Sequence, residues 1–224
     1  MKKLFIICAS ALALSGGFAA AQVGGTAQPN MAQNNAPMAA FTNPQTVPND
    51  LARVDAALNN TLSFQGRFAQ YGADGSFAQG TIYLSRPGKL RFEYDSPSPL
   101  LIVSDGVTLT QQDRALETTD RVPLSATPLN FFLRENVNLA QDTEVVALQK
   151  TPTEWRVAAR DGSGEMDGTI TMIFDASTLA LKEWVITDGF GGNTRLLLSD
   201  LVYNQRLNPR LFILRDDSRR DRRR

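Results

Sequence analysis

The chain has 224 residues, in which 23 basic and 23 acidic side chains leave no formal net charge. It has no histidine, and its single cysteine is Cys8. This composition excludes a globally basic nucleic-acid-binding protein, histidine general bases and zinc sites of the usual Cys/His type.

Residues 1–21 have the features of a secretory signal peptide. Two lysines provide the charged start, residues 4–14 are mostly apolar, and residues 19–21 are three alanines that form a small-residue cleavage site. The apolar run is shorter than the roughly 20 residues of a membrane-spanning helix. We therefore expect a soluble mature chain that begins at Gln22, has no cysteine, and carries 21 basic and 23 acidic residues after the loss of two lysines.

The mature chain begins with a segment that is too polar to fold alone. Residues 22–49 are rich in Gln, Asn, Ala, Pro and Gly and contain no charged residue, so we predict a flexible, low-complexity leader. Residues 50–62 then predict an amphipathic helix of about three turns, with Asn49 or Asp50 as its N-cap. Its apolar positions at helical spacing are Leu51, Val54, Leu58 and Leu62.

After this helix the apolar period changes from 3.6 to 2. The change is clearest at 89–94, where Leu90, Phe92 and Tyr94 alternate with charged residues. Five Asp-Gly dipeptides, which favour hairpin turns, fall at the strand junctions, so we predict an antiparallel meander. The predicted strands are 64–71, 77–84, 89–94, 100–104, 107–111, 145–149, 155–159, 169–174, 179–187 and 194–203, and the dipeptides begin at Asp74, Asp105, Asp161, Asp167 and Asp188.

One segment interrupts the strands. Residues 123–135 place Leu129, Phe132 and Leu133 on one apolar stripe behind Pro128, which predicts a second helix. A long curved sheet with few helices has its concave side available for their apolar faces. The predicted fold class is therefore α+β and mainly β: an incomplete antiparallel β-barrel with a helical lid over a hydrophobic cavity.

The candidate binding site consists of apolar side chains from the strands and the lid. These residues could line a cavity, or they could fill a closed core, and periodicity alone does not separate the two. Arg86 lies in a turn between two strands and could bind backbone carbonyls of the lid; the alternative is a solvated loop arginine. The cavity candidates are Phe64, Phe68, Ile82, Leu84, Leu90, Phe92, Tyr94, Leu129, Phe132 and Leu133.

Enzyme motifs are missing from the chain. No G-x-S-x-G sequence occurs, the glycines of 162–168 are not followed by Lys-Ser/Thr, and the Asp-Gly carboxylates are better explained as turn residues. We therefore expect no catalytic residue, cofactor or metal. The alternatives to a binding cavity are a hydrolase that uses carboxylates, which these absences disfavour, and a structural interaction protein with a filled barrel.

The C-terminal end is strongly basic. Residues 219–224 contain five arginines in six positions. We interpret 216–224 as a disordered, solvated tail, and weak attraction to anionic lipid headgroups is the alternative.

Four segments in order carry a resemblance to a known family: FQGRF at 64–68, GTIYLSRPGKLRFEY at 80–94, LIVSDG at 101–106 and TPLNFFL at 127–133. With the ending NPRLF at 208–212, they make residues 50–215 resemble the LolA family of lipoprotein carriers, particularly its alphaproteobacterial branch.

The resemblance implies a function as well as a fold. Family members are periplasmic carriers whose cavity takes lipoprotein acyl chains from the inner-membrane ABC transporter LolCDE and passes them to the outer-membrane acceptor LolB or an unidentified equivalent. The family's Arg-Pro motif matches Arg86, which would latch the lid near Phe132 and Leu133. Leu90 matches a position that affects transporter contact in other members. We expect a monomeric carrier; a binding protein for another lipid or glycolipid is the alternative.

Overall fold

The computed structural model describes residues 47–164 and 166–214. The predicted signal peptide, most of the predicted leader and the tail from 216 lie outside these residues. The first helix, α1, is Val47–Asn60, and the short helices α2 and α3 are Asn130–Leu133 and Leu139–Asp142. The strands, numbered β1 to β11 in chain order, are Ser63–Tyr71, Phe77–Ser85, Lys89–Tyr94, Leu100–Asp105, Thr108–Asp113, Thr118–Pro123, Glu144–Lys150, Glu154–Arg160, Thr169–Asp175, Leu181–Thr187 and Asn193–Tyr203.

All eleven strands form one antiparallel sheet with the order β6-β5-β4-β3-β2-β1-β11-β10-β9-β8-β7. The two halves of the meander are joined by pairing of β1 with β11, for example Phe68 opposite Leu198. The edge strands β6 and β7 do not pair with each other, so the barrel is incomplete, as predicted. Residues 124–143 connect these two edges and therefore have to cross the open side of the sheet.

The ten predicted strands are all present, with ends that shift by no more than two residues. The sequence pattern missed β6, whose residues are exposed at all but one position. A strand without a buried face has no apolar alternation to reveal it. Its pairing with β5, from Thr108 opposite Pro123 to Asp113 opposite Thr118, is what makes it a strand.

The second predicted helix, 123–135, is wrong in extent. Pro123 ends β6, a 3₁₀ turn follows at Leu124–Ala126, and α2 and α3 have only four residues each. The apolar stripe was interpreted correctly as a buried surface, since Leu129, Phe132 and Leu133 are almost completely inaccessible. A connection between two distant sheet edges must stay extended over part of its path, which a continuous helix would prevent.

The first helix starts earlier than predicted. It begins at Val47, so residues 47–49 of the predicted leader are helical, and Pro48 is tolerated there because first-turn N–H groups need no helical partner. Asp50 is not the N-cap; its carboxylate accepts a hydrogen bond from the Lys150 ammonium of β7 at 2.6 Å. The helix ends before Leu62, which is exposed, while the other predicted apolar positions are buried.

The Asp-Gly turns behave as expected at three of the five sites. Gly75, Gly106 and Gly168 have positive φ values of 81°, 110° and 101°. In the other two loops the positive φ falls on Gly164 and Gly191, two residues after the Asp-Gly glycine. These turns return the chain from strand to strand and curl the sheet around α1.

Candidate functional site

The concave side of the sheet encloses one apolar cluster, in which the structure brings the predicted cavity residues together. Nine of these ten side chains are buried, and Tyr94 is partly buried and packs against the cluster. Helix α1 adds Leu51, Val54 and Leu58, and the connection between the sheet edges adds Phe131 to its predicted apolar residues.

Aromatic rings form the centre of this cluster. The Phe68 ring meets the rings of Phe92 and Tyr94 edge to face, each at a centroid distance of 5.1 Å. Trp184 of β10 contacts Phe92 at 6.3 Å and the lid residue Phe132 at 5.3 Å. Trp184 was not among the predicted site residues. The alternation of inward and outward side chains along β10 could have identified it as inward-facing.

Among the described residues the interior is closely packed, because the side chains of the apolar cluster have almost no exposed surface. A cavity of about 10 Å³ lies next to Arg86 and is lined by Leu58, Phe64, Phe132 and Tyr203 among others. That volume holds about one water molecule. An acyl chain could enter only if packed side chains separate, so the apolar residues fill a core in the closed state. Leu90 is fully buried and is not available for surface contacts in this arrangement.

Arg86 binds the lid by one hydrogen bond. Its Nη1 donates to the backbone oxygen of Arg134 at 3.1 Å, so the acceptor lies one residue beyond the predicted pair Phe132 and Leu133. Its Nε is buried without a hydrogen-bond partner among the described residues. Burial lowers the pKa of Arg86 to about 10, which still leaves the guanidinium charged at neutral pH. The side chain is not a solvated loop arginine.

The turn that carries Arg86 makes a second contact with the lid. The backbone N–H of Gly88 donates to the Leu133 oxygen at 2.8 Å, and the Gly88 oxygen accepts from the Ser104 hydroxyl at 2.6 Å. Gly88 has a φ of 69°, and a Cβ there would lie 2.7 Å from the Cα of Gly106. Glycine is therefore required both by the backbone conformation and by the neighbouring turn.

The other end of the lid is bound to α1. Asn59 donates to the Val137 oxygen at 3.0 Å and accepts from the Val137 N–H at 2.8 Å. One turn earlier in α1, the Asp55 carboxylate accepts from the Leu139 N–H at 3.1 Å. Within the lid, Arg134 and Asp142 form an ion pair at 2.8 Å. The lid is thus held from the sheet at 133–134 and from α1 at 137–139.

Among the polar groups that hold the lid, Asp55 is the one whose negative charge is unfavourable in the folded protein. Burial raises its pKa, the hydrogen bond from Leu139 opposes that rise, and the nearby charge of Asp142 adds to it. Neither Asp55 nor Asn59 is among the predicted site residues. Their i, i+4 spacing beside the apolar stripe of α1 is the one signal that could have indicated a polar contact line.

Among the described residues no group of three or more metal-ligating side chains could hold a metal ion. No helix within 47–164 and 166–214 has the length and apolarity needed to cross a membrane.

The fold and the site define a class of protein: an open β-barrel whose apolar interior lies under a lid that polar contacts hold closed. Residues 59–215 match the family described as "Outer membrane lipoprotein carrier protein LolA". The chain belongs to this family.

Curated relatives carry the same description. The chain is 33% identical over 165 residues to an outer-membrane lipoprotein carrier protein of Nitrosomonas europaea, covering 69% of this chain and 79% of that protein. It is 29% identical over 198 residues to the protein of that name from Chromobacterium violaceum, covering 87% and 89%. A solved LolA superfamily structure from Nitrosomonas europaea aligns with a TM-score of 0.44 at 11% identity, over 73% of this chain and 97% of that one.

Proposed function

We propose that this protein is a periplasmic carrier that accepts lipoproteins from an inner-membrane ABC transporter of the LolCDE kind, shields their acyl chains in its apolar interior and delivers them to the outer membrane. The recipient is LolB or an equivalent acceptor. The proposed signal peptide, cleaved before Gln22, takes the chain to the periplasm. The role is that of a carrier and involves no catalytic step.

One observation carries the proposal: a large apolar interior is closed by a segment that few polar contacts hold. Residues 124–143 bury Leu129, Phe131, Phe132 and Leu133 against the sheet. A hydrocarbon chain can replace these contacts with contacts of the same kind. The polar contacts at Arg86, Gly88, Asp55 and Asn59 then decide when the lid closes.

The packed interior also limits how tightly the acyl chains bind. Three acyl chains of about 16 carbons, at roughly 0.8 kcal/mol per buried CH₂, would release about 38 kcal/mol on full burial. That exceeds the practical ceiling of about 18 to 21 kcal/mol for noncovalent affinity. A carrier whose empty interior is already packed must separate its own side chains to load cargo, and this cost weakens binding so that release stays possible.

The test is a release assay with membranes that contain the transporter and a radiolabelled lipoprotein. With ATP and the mature chain, we expect lipoprotein to appear in the soluble fraction in a complex with the carrier. Mass spectrometry of that complex should identify a triacylated peptide. Recovery of a free lipid or glycolipid from the native protein, with no lipoprotein released, would instead favour a binding protein for that lipid.

A further inference from the structure

A second recess lies outside the barrel, on the convex face of the sheet. The C-terminal segment folds back over β3 and β4, and a groove of about 440 Å³ remains beside it. A volume of this size is in the range of small-ligand sites. The groove is separate from the apolar interior, and its lining is Arg91, Leu101, Gln112, Arg114, Asn208, Arg210, Leu211, Ile213 and Leu214.

The charged lining of this groove is entirely basic. Arg91 is used internally: it bonds Glu93 at 2.7 Å and donates to the Leu211 oxygen at 2.9 Å, which anchors the C-terminal segment. Arg114 and Arg210 are exposed, and neither has an ion-pair partner among the described residues. Two free guanidinium groups at one recess can bind phosphate oxygens in a bidentate manner.

Exposed apolar side chains lie in the groove lining and in the hairpin that adjoins it. Ile213 in the lining is 60% exposed, and Leu116, in the hairpin that follows Arg114, is 52% exposed. Acidic groups are present nearby as well: the Asp113 carboxylate accepts from the N–H groups of residues 115 and 116, and Glu117 ends the hairpin. Basic residues combined with exposed apolar side chains are typical of surfaces that lie on a membrane.

The chain continues from this groove into its most basic segment. Leu214 is the last described residue and lines the recess, and residues 215–224 that follow contain six arginines and three aspartates. Within the described residues, Arg114 and Arg210 alone supply the unpaired basic groups of the groove. A membrane surface presents many anionic groups at once and can bind both guanidinium groups.

We infer that this groove, formed by Arg114, Arg210 and the C-terminal segment, binds headgroups of anionic phospholipids and docks the protein on a membrane surface. The phosphate lies between the two guanidinium groups, and Ile213 and Leu116 enter the boundary of the acyl region. This surface is distinct from the interior that holds cargo, so it does not depend on which cargo is carried.

The test uses the mature full-length chain and flotation with vesicles of phosphatidylcholine, with or without phosphatidylglycerol. We expect binding only to the anionic vesicles, and weakening between about 0.1 M and 1 M salt as the Debye length falls from about 10 to 3 Å. Each basic residue near an anionic surface contributes about fivefold in affinity. Arg114→Gln with Arg210→Gln should therefore weaken binding about 25-fold, whereas the control Lys182→Gln, an exposed cation on β10, should not.

Three results would overturn the inference. Equal binding to uncharged vesicles would show that the groove does not recognise phosphate. Unchanged binding by the double variant, with loss only when the five arginines of 219–224 are replaced by glutamine, would assign binding to the tail alone. Binding of a soluble acidic peptide without binding to vesicles would point to a protein partner instead.

Discussion

Arg86 is a largely buried charge at the contact between the sheet and the lid. It makes one hydrogen bond to the Arg134 oxygen, while its Nε remains unsatisfied and burial lowers its pKa. Breaking one hydrogen bond to a charged group costs about 1.5 to 3 kcal/mol, but leaving the charge buried also costs free energy in the closed state. We therefore expect Arg86 to affect the equilibrium between the open and closed lid more than the stability of the fold.

Arg86→Leu should fold, load lipoprotein and fail at onward transfer. We expect the loss of this hydrogen bond to outweigh the relief of the buried charge, so the lid shifts by up to about tenfold toward open and closure no longer drives the acyl chains out. Arg86→Lys should restore transfer poorly, because an ammonium lacks the planar fork. Loading from inner-membrane fractions and transfer to outer-membrane vesicles are measured separately. Normal transfer by the leucine variant would show that the bond to Arg134 has no role in release.

Asp55→Asn should stabilise the protein at neutral pH. Burial and the charge of Asp142 raise the pKa of Asp55, so its ionised form disfavours the folded state above that pKa, and the penalty disappears as the pH falls and the carboxyl is protonated. The amide oxygen introduced by this substitution can still accept from the Leu139 N–H. Thermal unfolding at pH 7 and below about pH 4 should show a higher Tm for the variant at neutral pH only.

The matched control for this effect is Asp55→Ala, which removes the charge and the acceptor together. A buried Leu139 N–H without a partner costs about 1 to 3 kcal/mol, so the alanine variant should be less stable than the asparagine variant at every pH. A lower Tm for Asp55→Asn at pH 7 would contradict this prediction. It would show that the hydrogen bond to the carboxylate stabilises the fold by more than burial and the charge of Asp142 destabilise it.

At the scale of elements, the turn between β2 and β3 joins the sheet to the lid. Its geometry depends on the next turn, because Gly88 approaches Gly106 so closely that no side chain fits. The same turn supplies the N–H that binds the Leu133 oxygen. We therefore expect a change in packing between these two hairpin turns to alter the contact with the lid.

Gly88→Ala should destabilise the protein more than Gly75→Ala. Both positions have positive φ, 69° and 81°, which costs an L-residue roughly 1 to 2 kcal/mol. Only at Gly88 would the added Cβ overlap backbone, since nothing lies within 4 Å at Gly75. Thermal unfolding should show a decrease of about 2 to 8 °C for Gly75→Ala and a larger one for Gly88→Ala. Equal decreases would mean that the turns at Gly88 and Gly106 can move apart without a cost in free energy.

The elements also show where sequence patterns succeed. Strands such as Lys89–Tyr94 have one apolar and one polar face, so their parity could be predicted and their inward residues are buried. Strand β6 has no buried face and was missed, and the lid was predicted as one helix because its apolar spacing does not reveal that it spans two sheet edges. Local periodicity reports burial, and it does not report the path of the chain.

At the scale of the whole molecule, the two sheet edges and α1 set the position of the lid. The edges β6 and β7 stay apart, so the connection between them has to lie over the interior. Helix α1 fills the concave side and offers Asp55 and Asn59 to that connection. We therefore expect any movement of the lid to break contacts with both the sheet and α1.

Deletion of residues 22–46 should leave the fold intact, with a change in Tm below about 2 °C. Deletion of 22–49 should lower the Tm by more, because α1 begins at Val47, which packs against the core. Circular dichroism during heating compares the two shortened chains with the mature chain. A large decrease for the shorter deletion would show that residues before Val47 pack on the domain.

The sequence by itself determined the alternation of the strands, the apolar stripe of α1, three of the five Asp-Gly turns and ten of the residues that form the interior, because each depends on spacing along the chain. Only the tertiary structure decided the pairing of β1 with β11, the crossing of the lid between β6 and β7, and the choice of the Arg134 oxygen as the acceptor of Arg86. These features join residues that are far apart in sequence, and which of them meet depends on how the sheet curls and where its edges stop, so no local pattern could specify them.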